Sequence, residues 1–99
     1  MLSTQELKNK IEFCERIHAH VLASDLSNFL SILEDNNGTW KNNGWTLENW
    51  IEHEHEWHKE NIRRHKAWIK LNHGKEHLQN AENLYNEFKH AVKLLYQEV

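Results

Sequence analysis

The chain has no proline and only three glycines in 99 residues, so regular structure can be broken in few places. A single cysteine, Cys14, excludes an internal disulfide. No run approaches the roughly 18 apolar residues of a membrane-spanning helix, and the opening "MLSTQELKNK" carries no long apolar stretch of the secretory kind. These absences predict a cytoplasmic protein in a reducing compartment, without a membrane partner. A formal net charge of -3 and a pI near 6.3 exclude both a whole-chain polycation and a polyanion. Any charge-driven partner must therefore use a local patch.

What is present is aromatic bulk. Five tryptophans and three phenylalanines supply large burial units, and the apolar and charged fractions of 38% and 27% fall in the ordinary range of folded proteins. A chain of this length buries only about 60–65% of its unfolded surface, enough for one modest core, so residues 1–99 are read as a single domain. Abundant Asn and Lys with scarce Arg suit an AT-rich genome, such as that of a low-GC bacterium or its phages.

The breakers gather in "DNNGTWKNNGW" and "LNHGKE", and the segments between them carry helical periodicity. Ser3 or Thr4 caps a first helix, with Glu6 completing a Ser3-x-x-Glu6 box, and Leu7, Ile11, Cys14, His18, Val21 and Leu22 share its face. Leu26, Phe29, Leu30 and Leu33 form a stripe out of phase with it, which places a break near residue 24 and makes Ser24 or Asp25 a second N-cap. Thr46 caps a third helix of about 26 residues, ending near Asn72, His73 and Gly74. A fourth runs on Ala81, Leu84, Tyr85, Phe88, Ala91, Val92, Leu95 and Tyr96. The predicted fold is all-α: a small helical bundle of three long helices and one short helix, completed by dimerisation.

Trp50 to Trp68 holds four of the nine histidines and three of the five tryptophans. Advancing about 100° per residue from Ile51 returns Ile62 and Ile69 within about 20°, which fixes the buried direction. Glu54, His58, Asn61 and His65 fall near that direction as an inward polar ladder, while His53, Glu52, Glu56 and Glu60 point to solvent. His18 and Cys14 on the first helix and His77 on the fourth also count inward. Glu54, His58, His65, His18 and His77 are thus candidate ligands for a divalent metal, zinc or iron, because bundles build metal sites from inward carboxylates and imidazoles on several helices. Neither duplicated Glu-x-x-His pairs nor a His-Glu-x-x-His helix is present, and mutual hydrogen bonding is the plainer expectation. No cofactor other than that metal is implied.

Trp50, Trp57 and Trp68 widen the apolar stripe of the third helix beyond what one neighbour can cover. Trp40 and Trp45 sit in the loop with its near repeat, where indoles either plug the bundle end or anchor a partner. Lys59, Arg63, Lys66 and Lys70 form an outward stripe able to track phosphates, although Glu56 and Glu60 stand within pairing distance of it.

Three functions follow as expectations. The first is a non-enzymatic interaction module, a small adaptor or inhibitor that binds another protein through Trp40, Trp45, Trp50 and Trp57 and itself forms a homodimer. The second is a metal-binding bundle, and the third a nucleotide or nucleic-acid binder using the basic stripe.

Overall fold

The computed structural model describes residues 1–35, 46–69 and 75–97. Over these residues the chain forms four helices, α1 (Thr4–Arg16), α2 (His20–Glu34), α3 (Leu47–Ile69) and α4 (Lys75–Leu95), and no strand, the small all-α bundle that the periodicity predicts. The N-terminal caps follow the sequence. The Ser3 hydroxyl accepts from the Glu6 amide and the Ser3 amide donates to Glu6 Oε1, both at 3.1 Å, satisfying two of the donors a helix start leaves open. Thr46 Oγ1 accepts from the Asn49 amide at 3.2 Å and opens α3 in the same way. The C-cap expected at Asn72, His73 and Gly74 lies outside the described residues.

The break between the first two helices falls at residues 17–19, not near residue 24. His18 takes a left-handed conformation (φ 62°), its amide donates to the Glu15 carbonyl at 3.1 Å, and the Ala19 amide reaches back to the Cys14 carbonyl at 2.8 Å. This is the paired hydrogen bonding of a Schellman cap with histidine in the place glycine usually fills. Ser24 and Asp25 consequently lie inside α2, and its N-cap residue Ala19 makes no side-chain capping bond. The resulting lengths are 13 and 15 residues for α1 and α2 against 23 and 21 for α3 and α4.

Two antiparallel hairpins, α1–α2 and α3–α4, pack together chiefly through α2 on α4, with a smaller contact of α2 on α3. The shared core gathers Leu7, Cys14, Leu26, Phe29, Trp50, Ile51, Phe88, Ala91 and Leu95, with Phe29 and Phe88 meeting edge-to-face at 6.0 Å. The Leu2 amide donates to the Leu95 carbonyl at 2.8 Å and ties the start of the chain to the end of α4. At about 1.5 Å per residue α3 is about 35 Å long and α2 about 22 Å, so the longer hairpin overhangs the shorter one. The overhanging end is identifiable: every buried residue of α3 lies at or before His58, and every one of α4 at or after Ala81.

Candidate functional site

Trp50, Trp57, Asn61 and Trp68 recur at helical spacing within about 20° of one line on α3. At the start of α3, Trp50 is buried at 9% exposure and belongs to the core. It is therefore not available as a partner anchor, contrary to the expectation from sequence. Farther along, Trp57 stays 50% exposed and Trp68 41% exposed, each indole meeting a histidine ring edge-on, His58 at 5.0 Å and His65 at 4.8 Å. Trp68, grouped with Trp50 and Trp57 on the wide stripe expected from the sequence but not counted among the partner-binding residues, lies on the exposed part of that flank. Trp40 and Trp45 lie outside the described residues. A second apolar surface stands at the α1–α2 corner, where His18, Val21, Leu22, Asn80, Leu84 and Glu87 line an open groove of about 470 Å³.

Under the flank, the histidines pack as aromatic rings. His58, 7% exposed, stacks on Tyr85 at 5.3 Å with 13° between planes and lies 5.2 Å from Phe88. His55 stands edge-on to Tyr85 and Phe88, and its Nδ1 is 3.2 Å from the Tyr85 hydroxyl. Burial, and then the neighbouring His55, push the His58 pKa below its ordinary value. His55 is likewise lowered, first by burial and then by Lys59. His58 Nδ1 is buried without a hydrogen-bond partner among the described residues.

The five candidate metal ligands are spread apart. Glu54 and His65 are half-buried and His58 buried, as the ladder requires, but His18 is exposed at the left-handed turn and His77 is exposed where its ring stacks with His65 at 6.1 Å. His58 and His65 are seven residues, or about 10 Å, apart along α3, too far to share one ion. Among the described residues no three His, Cys, Asp or Glu side chains form a group able to hold a metal. Cys14 is a buried core residue whose thiol is pushed up in pKa, chiefly by burial.

A feature that sequence reasoning missed lies where the hairpins meet. Asp25, read as a cap, sits mid-α2 facing Glu54 of α3 and Glu87 of α4, and its Oδ2 is buried without a hydrogen-bond partner among the described residues. Burial first, then the two glutamates, raise its pKa to about 7. No local sequence signal distinguishes such an aspartate from an N-cap.

The basic stripe is threaded with carboxylates. Lys59 Nζ lies 3.4 Å from Glu56, and Glu60 takes Arg63 at 2.6 Å and Arg64 at 3.3 Å, bonds that hold the Glu60 carboxyl down at a pKa of about 2. Lys66 is exposed, and Lys70 lies outside the described residues. Comparison with protein-family models, with curated proteins and with solved structures found no match for the chain.

Proposed function

We propose that this protein is a non-enzymatic interaction module, a small adaptor or inhibitor, and that it engages protein through the α3 flank bearing Trp57 and Trp68. The observation that carries this is the contrast along one line of one helix: Trp50 is buried in the core, whereas Trp57 and Trp68 keep 50% and 41% of their surface exposed. Indoles combine large apolar area with few rotatable bonds, which is why they dominate the energetics of protein interfaces. The clustered imidazoles beneath support a binding role too, because His55 and His58 are engaged in ring packing that stiffens the helix presenting the indoles.

The test replaces both exposed indoles, Trp57→Ser with Trp68→Ser, and compares protein capture from extracts of the source cells with that of the unaltered chain. Capture should be lost while the variant remains helical and melts cooperatively, because neither indole belongs to the buried core. Unchanged capture by a folded double variant would refute the proposal.

A further inference from the structure

The exposed flank of α3 is self-complementary when read in the opposite direction. Turning the helix end for end about a point between Ile62 and Arg63 exchanges Trp57 with Trp68. The same rotation brings Glu60 within one residue of Arg64, an offset of about 1.5 Å along the axis. Both charged residues lie on the same side of the tryptophan line, by about 80° and 40°. A two-fold axis perpendicular to the helix preserves that side, so Glu60 of one copy meets Arg64 of the other, twice. Both are already engaged within their own helix, at 3.3 Å, with side chains 44% and 60% exposed, and Glu60 keeps its closer bonds to Arg63, at 2.6 and 2.8 Å, when Arg64 turns to a second copy. Such an exposed pair exchanges partners at little cost.

We infer that the chain forms a two-fold homodimer in which α3 packs antiparallel on α3 of a second copy, with Trp57 against Trp68 and Glu60 against Arg64 in both halves. The inference rests on the interaction-module proposal and names its partner. The contact is isologous, so each favourable pair occurs twice, and it continues the line whose first indole, Trp50, is already buried in the core. One helix flank buries less than the roughly 800 Å² per partner of a standard interface, which makes the dimer a weak and transient one.

Charge reversal tests the pairing without touching the core. Sedimentation equilibrium of the full chain from low to high micromolar concentration should show the mass rising from 12.0 kDa towards twice that value. Glu60→Arg alone and Arg64→Glu alone each place like charges opposite one another and should weaken self-association about ten-fold or more. In an equimolar mixture of the two variants every Arg faces a Glu, and a heterodimer should form at about the wild-type affinity. A wild type that stays at 12.0 kDa throughout, or a mixture that associates no better than either variant alone, overturns the inference. If the wild type stays monomeric while the Trp57→Ser, Trp68→Ser variant still loses capture, only the identity of the partner is wrong. If that variant also captures normally, the interaction-module proposal fails with it.

Discussion

Replacing Asp25 by Asn removes a charge and little else, and its effect should grow with pH. The Asp25 carboxyl moves from an ordinary pKa of 3.8 to about 7 in the folded chain. Between those values the folded state keeps a proton that the unfolded state has released, so stability falls as pH rises through the window and stays reduced above it. The full shift corresponds to about 4 kcal/mol at 1.36 kcal/mol per unit. Asp25 is only half-buried, and solvent screening reduces this to about 2 kcal/mol. Asparagine keeps the shape and is neutral at every pH. Asp25→Asn should therefore gain stability over the wild type by about 2 kcal/mol more at pH 8 than at pH 4, equivalent to about 8 °C in Tm for a domain of this size. The assay is urea denaturation of both proteins at the two pH values, followed by circular dichroism. Histidine protonation affects both proteins alike and cancels in the difference. Glu87→Gln should shrink the wild-type pH effect by removing one of the two charges that oppose ionisation. A wild-type-to-variant difference equal at both pH values would refute the reasoning, because it would mean that Asp25 is ionised in the fold throughout.

Three further outcomes are expected. Phe88→Ala, which empties a site 2% exposed at the contact of the two hairpins, should cost about 3–5 kcal/mol in urea denaturation, and a loss under 1 kcal/mol would contradict the core described above. His18→Gly should stabilise by about 0.5–1 kcal/mol, since glycine takes the left-handed turn freely; a destabilised variant would show that the imidazole makes contacts beyond that turn. The depressed His58 pKa gives stability that is complete above its ordinary value of 6.5 and is lost as pH falls below it, so His58→Leu should lose less than the wild type between pH 7.5 and pH 5.5, and equal losses would count against it.

Features that depend on a few neighbouring residues were legible in the sequence. The Ser3–Glu6 box and the Thr46 cap are settled within three residues of themselves. The inward phase of His58 follows from the spacing of Ile51, Ile62 and Ile69, and the structure buries it. The turn at His18 was hidden because the apolar spacing of Leu7, Ile11, Cys14, Val21 and Leu22 runs through it without a change of phase. No glycine, proline or asparagine marks the spot. Trp50 and Trp57 share a phase, so only the extent of the core along α3 decides which is covered, and that is a tertiary fact. Asp25 was misread for a similar reason: its carboxylate neighbours, Glu54 and Glu87, are 29 and 62 positions away in sequence.

The division into two hairpins also bears on the order in which the molecule assembles. Within each hairpin, α1 with α2 and α3 with α4, contacts join segments close in sequence, and such loops close at small entropic cost. The seam of α2 on α4 instead joins residues about 60 positions apart, as Phe29 and Phe88 do. Closing about 60 residues costs more chain entropy than closing either hairpin, so the Phe29–Phe88 seam is expected to form after the hairpins it joins.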